Sequence, residues 1–197
     1  MYHYMELTLL PDQQVAGAEI MARVMDVLHL GLVNVSHAYG YNPLGLAFPD
    51  YRYEPPRKRS LGRKIRVYSQ TLEPLAALDL RTQLQRFEDY VHVRGIKSVA
   101  AQGLSFACFK RVQVQTSSER LARRRAQFTG ESLAQARARY VEFVPEQSDL
   151  PSVALHSHSN QHLFRLFIAK QPTVAPTEWR FNTYGLSDTV GVPDIRA

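Results

Sequence analysis

The chain has 197 residues, enough for one domain or two small ones, and its 45% hydrophobic content is sufficient for a buried core. With 21% charged residues, the composition excludes an intrinsically disordered chain. Lysine and arginine outnumber aspartate and glutamate by 24 to 18, and the net charge of +6 favours an anionic partner without identifying it.

The first half of the chain is predicted to alternate between strands and helices. Residues 2–10 alternate between two faces, as a half-buried strand does. A helix is predicted over residues 11–33, because Val24, Leu28 and Leu32 recur on one face. The next predicted elements are a strand at 44–48, a polar loop at 50–62, a strand at 64–69, a helix at 74–87 and a strand at 90–94.

The order strand-helix-strand-strand-helix-strand predicts an N-terminal ferredoxin-like domain. The same topology underlies the RNA recognition motif, whose sheet carries aromatic side chains that stack on bases. No strand of the first half is clearly rich in aromatic residues in this way, so RNA binding through this sheet is not expected. The fold by itself does not decide the function.

The second half is predicted to be a C-terminal α+β domain with an arginine-rich helix. Strands are predicted at 104–115, 153–157, 163–169 and 180–184, and helices at 116–128 and 131–143. A weakly periodic stretch between Gly95 and Gly103 predicts the boundary, which places the two domains at residues 1–98 and 99–197.

The helix at 116–128, TSSERLARRRAQF, is the strongest single feature of the sequence. Thr116 followed by Glu119 fits a capping box. Its four basic side chains are Arg120, Arg123, Arg124 and Arg125, of which the first three are predicted to share a face. Guanidinium groups this close repel one another and require either solvent or a dense anion. Nucleic-acid phosphate and a merely solvated basic surface both satisfy that requirement.

Histidines offer two further candidate sites. His156, His158 and His162 could chelate zinc, but no carboxylate accompanies them, so a polar loop is the preferred interpretation. His29 lies at the edge of the apolar stripe of the first helix and is the natural proton-transfer group at neutral pH. The sequence has no G-x-S-x-G elbow, no Walker loop, no G-x-G-x-x-G and no paired carboxylates.

Four segments, taken in order, resemble the type I-F CRISPR-associated endoribonuclease family, which processes precursor CRISPR RNA. They are VLHLGLV around His29, RVQ followed by SERLARRR at 111–125, HSHSNQHLFRLFI at 156–168 and NTYGLS at 182–187. With the ferredoxin-like pattern of the first half, the resemblance spans nearly the whole chain.

The resemblance implies a catalytic group in which His29 lies beside the scissile phosphate. Ser157 would hold the ribose whose 2′-hydroxyl attacks, with Ser159 near the same site, and Tyr184 would position the histidine. The implied RNA-binding residues are Arg111 and Gln113, which read base edges, Arg123 and Arg124, which enter the major groove, and Phe164, which stacks at the foot of the stem.

Arg120 and Arg125 join the predicted RNA-binding set through their place on the same helix. Here the chain departs from the family pattern. The family carries further basic residues one turn on, where this sequence has Gln127, Phe128 and Thr129, and it has an apolar residue at the position of Arg125.

The implied reaction needs neither a metal nor a cofactor, because RNA supplies its own nucleophile in the 2′-hydroxyl. The expected products are a 2′,3′-cyclic phosphate and a 5′-hydroxyl. The implied partners are a CRISPR repeat RNA hairpin, which stays bound after cleavage, and the other subunits of a type I-F surveillance complex. The alternatives are a hairpin-capping protein that does not cut, a basic ribosomal or RNA-chaperone protein, and a metal-dependent nuclease.

The remaining features exclude several other classes. A single cysteine, Cys108, excludes an internal disulfide and a cysteine-rich zinc site, and its apolar surroundings predict a small core residue. No apolar run reaches the roughly 18–20 residues of a membrane span, and the first residues lack a signal-peptide pattern. A cytoplasmic protein without membrane contact is therefore expected.

Overall fold

The computed structural model describes residues 1–114, 117–157 and 162–195, and the predicted mixture of helices and strands is confirmed. In chain order the elements are β1 (Tyr2–Leu9), α1 (Gly17–Tyr39), β2 (Gly45–Ala47), β3 (Arg52–Glu54), β4 (Lys58–Ser60), β5 (Lys64–Ser69), α2 (Glu73–Leu78), α3 (Leu80–Gln83), a 3-10 helix (Gln85–Phe87), β6 (Val91–Val93), β7 (Lys97–Val99), β8 (Phe106–Val112), α4 (Ser118–Thr129), α5 (Leu133–Ala138), β9 (Ser152–His156), β10 (Leu163–Thr173) and β11 (Val192–Pro193). Within the described residues no helix is long and apolar enough to cross a membrane.

The chain divides into two compact units. The first comprises Met1–Val112 together with the C-terminal stretch from Leu150, and the second comprises Gln113–Asp149. The first unit therefore contains both large sheets, whereas the second contains only α4 and α5. The division into residues 1–98 and 99–197 stays a prediction.

Two antiparallel sheets build the first unit. The first sheet has the order β2-β5-β1-β6, with β7 also paired to β1, and the second has the order β11-β8-β10-β9. In the first sheet Tyr4 lies opposite Tyr68 and Glu6 opposite Arg66. Buried side chains from α1 and both sheets form one hydrophobic core, and α1 packs along β9. Cys108 belongs to the buried residues, as predicted.

The first helix is shifted towards the C-terminus relative to the prediction of residues 11–33. Asp12 Oδ1 accepts hydrogen bonds from the backbone amides of Gln14 and Val15 at 2.7 Å each, so it stabilises a turn before α1 rather than the helix itself. The helix ends at Gly40, whose φ of 75° suits glycine.

Two other predictions in the first half are wrong in detail. The predicted helix at 74–87 is three short pieces, because Asp79 adopts a φ of 40° and interrupts it. The predicted loop at 50–62 contains a hairpin, β3–β4. Both strands of that hairpin are exposed on both faces, so they carry no hydrophobic alternation to reveal them.

The second half needs similar corrections. The predicted helix at 131–143 is only α5, and the predicted strand at 180–184 is a single bridge between Phe181 and Asn42 followed by a turn. The strands β7 and β11 were not predicted, since three and two residues are too few to show a period. The N-cap of α4 is Ser117, whose Oγ accepts from the Arg120 amide at 3.3 Å, while Thr116 lies outside the described residues.

Candidate active site

Four of the predicted site residues meet around the ring of Tyr184. His29 of α1 stacks on that ring with a centroid separation of 4.1 Å and an interplanar angle of 5°. Phe164 of β10 meets the same ring edge-on at 6.4 Å. The guanidinium carbon of Arg111, on β8, lies 5.8 Å from the Tyr184 ring centroid and 5.7 Å from that of Phe164. Three elements and one turn thus hold a histidine, two aromatic rings and a cation together.

The tautomer of His29 follows from its one hydrogen bond. Nδ1 of His29 lies 2.9 Å from the backbone oxygen of Thr183. A carbonyl oxygen can only accept, so Nδ1 must carry the proton and donate it. In the neutral imidazole Nε2 is then the unprotonated nitrogen. His29 therefore presents Nε2 as a nitrogen that could exchange a proton, with its ring plane held by Tyr184.

The turn that carries Thr183 and Tyr184 is built by Asn182. Its Oδ1 accepts from the backbone amides of Tyr184 at 2.9 Å and Leu186 at 3.1 Å. Gly185 follows with a φ of 68°, and a Cβ there would lie 2.5 Å from the Leu46 side chain, so only glycine fits. The turn therefore needs a side-chain oxygen at position 182 and glycine at position 185.

A second asparagine fastens this turn to the rest of the first unit. Asn42 is 2% exposed, and its Nδ2 donates to the backbone oxygen of Asn182 at 2.6 Å. Its Oδ1 accepts from the Leu44 amide at 3.0 Å, and its backbone oxygen accepts from Phe181. Because Asn42 is buried with its polar atoms paired, the turn has little freedom to move away from His29.

We expect Asn182→Ala to reduce the rate of the chemical step on a bound substrate by up to about 10²-fold, because the turn that orients His29 loses two hydrogen bonds. Asn182→Asp keeps an oxygen in the accepting position and should retain most of the rate. Single-turnover rates with enzyme in excess measure both variants. Equal losses in the two variants, with unchanged thermal stability, would contradict this positioning role.

The phenol of Tyr184 is protonated near neutral pH. Burial raises its pKa, and Asp26 acts in the same direction, whereas the Arg111 guanidinium opposes them. Tyr184 is thus a neutral hydroxyl and a flat surface beside His29, and it is not an anion that could accept a proton.

The predicted serines lie in or beside a segment that is described only in part. Ser157 follows β9 directly, and its amide donates to the His162 backbone oxygen at 2.9 Å. Ser159 and His158 lie outside the described residues. Helix α1, which carries His29, packs along β9, and Ser157 follows the end of that strand. Within the described residues no group of three or more histidine, cysteine or acidic side chains could hold a metal ion.

The arginine-rich helix α4 belongs to the second unit, where its arginines divide into two kinds. Arg123 Nε donates to Glu119 at 3.0 Å, and Arg125 Nε donates to Glu131 at 2.5 Å. Arg120 and Arg124 are exposed and form no ion pair with any described residue. The four predicted arginines therefore differ in their availability for RNA, because two of the guanidiniums already have a carboxylate partner. Gln113, also predicted to bind RNA, begins this unit and is exposed.

The same carboxylates join α4 to α5. Arg137 binds Glu119 with two nitrogens at 2.7 and 2.8 Å, and Arg139 binds Glu131 at 3.3 Å. The hydrogen bonds from Arg137, followed by those from Arg123, lower the pKa of Glu119 to about 2. Glu119 therefore stays ionised at neutral pH and holds the first turn of α4 against α5.

Sequence reasoning missed the parts of the site that act through the backbone. The Thr183 carbonyl has no side-chain signature, and Asn42 lies 140 residues from the turn that it holds. Asn182 could have been found, because asparagine two residues before a tyrosine and three before a glycine is typical of a side-chain-stabilised turn.

Comparison with known proteins relates the whole chain to one family. The family described as CRISPR-associated protein (Cas_Csy4) matches residues 4–195. A protein of Pseudomonas aeruginosa (strain UCBPP-PA14) named CRISPR-associated endonuclease Cas6/Csy4 is 34% identical over 194 residues, which cover 98% of this chain and 99% of the relative. A protein of the same name from Escherichia coli (strain UTI89 / UPEC) is 30% identical with the same coverage.

Solved structures show weaker similarity. A structure described as CRISPR endoribonuclease Cse3 bound to a 19-nucleotide RNA aligns with a TM-score of 0.37 and 16% identity, covering 98% of this chain and 100% of that one. A structure named CRISPR associated protein Cas6 aligns with a TM-score of 0.33 and 10% identity, covering 98% of both chains.

Proposed function

This chain belongs to the family of CRISPR-associated proteins described as Cas_Csy4 and is an endoribonuclease of CRISPR RNA processing, and on that premise we propose that it cleaves a repeat hairpin without a metal ion. The cut falls at the 3′ foot of the stem, and the enzyme keeps the hairpin product as a subunit of a type I-F surveillance complex.

The proposal rests on one observation, the locked tautomer of His29. With Nδ1 bound to the Thr183 carbonyl, Nε2 is free to exchange a proton with the reacting RNA. The 2′-hydroxyl gives up its proton and its oxygen attacks the adjacent phosphorus, the bond to the 5′-oxygen breaks, and the leaving oxygen gains a proton. The products are a 2′,3′-cyclic phosphate and a 5′-hydroxyl, so no water is consumed in this step.

The neighbours of His29 support this chemistry. The Tyr184 ring, stacked at 4.1 Å, holds the plane of the imidazole and shields one of its faces. Ser157, on the segment after β9, is assigned to the ribose that supplies the 2′-hydroxyl. Alignment of that hydroxyl with the phosphorus supplies the rate enhancement that proton transfer alone does not provide.

The RNA-binding roles extend this assignment to the other predicted residues. Phe164 and Arg111 adjoin the Tyr184 ring, and we assign them to the base pair at the foot of the stem. Arg120 and Arg124 bind phosphates of the stem from α4. A regular A-form major groove is too narrow for side-chain contacts to bases, so α4 meets the stem near an end where the groove opens.

We also assign the first sheet to the ferredoxin-like class. Its strand order β2-β5-β1-β6, with antiparallel neighbours throughout, supports this assignment.

Cleavage of a short repeat hairpin in EDTA tests the function. We expect one cut at the 3′ foot, with a cyclic phosphate on the hairpin product. A 2′-deoxy substitution at the nucleotide before the cut should abolish cleavage and leave binding unchanged, because it removes only the nucleophile. Tight binding without a cut would indicate a capping protein instead, and a requirement for a divalent cation would indicate a metal-dependent nuclease.

A further inference from the structure

A basic pocket lies on the first sheet, away from the candidate active site. Its volume is about 240 Å³, and its lining residues are Tyr4, Glu6, Lys64, Arg66, Arg94, Gly95, Lys97 and Ile195. None of them contributes to the cluster around Tyr184. Glu6 and Arg66 face each other across β1 and β5, on the side of the sheet opposite Leu7 and Ile65.

The charges of this basic pocket are not balanced. Glu6 is its one carboxylate, and it already binds Arg66 Nε at 2.7 Å and approaches Arg94 Nη1 at 3.6 Å. Within the described part of the chain neither the Lys64 nor the Lys97 side chain forms an ion pair or a hydrogen bond. Four cations and one carboxylate leave a net charge of +3 around a single cavity, so an anion would be attracted to it.

The pocket is also preformed. The Arg66 side chain is only 6% exposed and is held by Glu6 and by the Ile195 backbone oxygen at 2.5 Å. Its guanidinium carbon lies 5.2 Å from the centroid of the Tyr4 ring. Arg94 keeps 49% of its side chain exposed, so it can still reach a ligand. A buried, hydrogen-bonded floor with more exposed cations at the rim suits a compact, strongly charged group.

We propose that this basic pocket binds a phosphate of the single-stranded RNA that continues from the hairpin. The proposal rests on the proposed function, which supplies the RNA. Ile195 is the one aliphatic side chain in the lining, so the pocket lacks the apolar centre that protein interfaces use. Its volume fits a single phosphate group better than the width of a duplex. The hairpin and its single-stranded extension thus contact the protein at two different places.

Fluorescence anisotropy in a His29→Ala background, where no cleavage interferes, tests this proposal. The probes are the bare hairpin, the hairpin with about ten additional unpaired nucleotides on either side, and the extension alone. The pocket variant is Lys64→Gln/Lys97→Gln, which leaves the buried Arg66–Glu6 pair intact. The matched control, Arg23→Gln/Arg81→Gln, removes the same charge from exposed positions outside the pocket.

The extension should tighten hairpin binding roughly 10- to 30-fold in the parent and the control, and this gain should vanish in the pocket variant. The salt dependence of binding to the extended RNA should fall by about 0.7 in log–log slope, which corresponds to one lost phosphate contact on a single strand. Affinity for the bare hairpin should be the same in all three proteins.

Several results would overturn the proposal: no gain from either extension, an equal gain in the pocket variant, or stronger competition by polyglutamate than by single-stranded RNA. The last result would indicate an acidic protein segment as the ligand. Failure of the proposed hairpin recognition looks different, because the bare hairpin would then remain unbound, whereas failure of cleavage alone shows only in the EDTA cleavage assay of the parent protein. The extension alone would still report on the pocket through weaker binding to the pocket variant than to the control.

Discussion

Replacing His29 with alanine is expected to reduce the rate of repeat-hairpin cleavage by about 10²–10⁴-fold, while the affinity of the protein for the hairpin stays the same. The variant lacks the imidazole Nε2 to which we assign the proton transfer, and no other described side chain stacks on Tyr184 in its place. The residues assigned to RNA binding lie on other elements and are unaffected. Single-turnover cleavage and equilibrium binding, measured on the same RNA, separate the two quantities.

His37→Ala provides a matched control, because His37 is an exposed histidine in the last turn of the same helix. It should cleave at the parental rate. If His29→Ala retained more than a tenth of the rate, or if His37→Ala lost as much, the proton-transfer role of His29 would be wrong. Equal melting temperatures exclude a general loss of structure.

The double variant Arg120→Gln/Arg124→Gln is expected to weaken hairpin binding on the order of 10–100-fold, since it removes two cations without a carboxylate partner. Arg123→Gln/Arg125→Gln should weaken binding less. Those two guanidiniums are bound to Glu119 and Glu131, and they must leave these partners before they can bind phosphate. Cleavage of RNA that is already bound should change little in either variant. Binding isotherms at three salt concentrations give both the affinity and the number of lost phosphate contacts.

The double variant Arg23→Gln/Arg81→Gln again serves as the charge-matched control, because both arginines are exposed. It should leave hairpin affinity unchanged. An equal loss of affinity in the two α4 variants would show that the ion pairs with Glu119 and Glu131 have no influence on RNA binding. A larger loss in the Arg123/Arg125 variant would reverse the proposed order.

The elements that the sequence predicted well have one buried face or a clear local stop signal. The strand β5 has the predicted bounds, and Gly130 ends α4 with a φ of 75°. The elements that it missed lack such a signal. The hairpin β3–β4 is exposed on both faces. The helix is interrupted by the positive φ of Asp79, and the presence of an aspartate does not by itself predict that angle.

The sequence by itself determined the order of the main strands and helices and the presence of a basic helix, because periodicity, turn residues and charge are local properties. The family resemblance singled out His29 and Tyr184 as candidate residues. Only the tertiary structure decided the tautomer of His29, since the accepting carbonyl is 154 residues away. It also decided which arginines of α4 are already paired, because Arg125 meets a glutamate beyond the end of its own helix. Contacts between distant segments form only when the chain folds, and no local pattern encodes their distances.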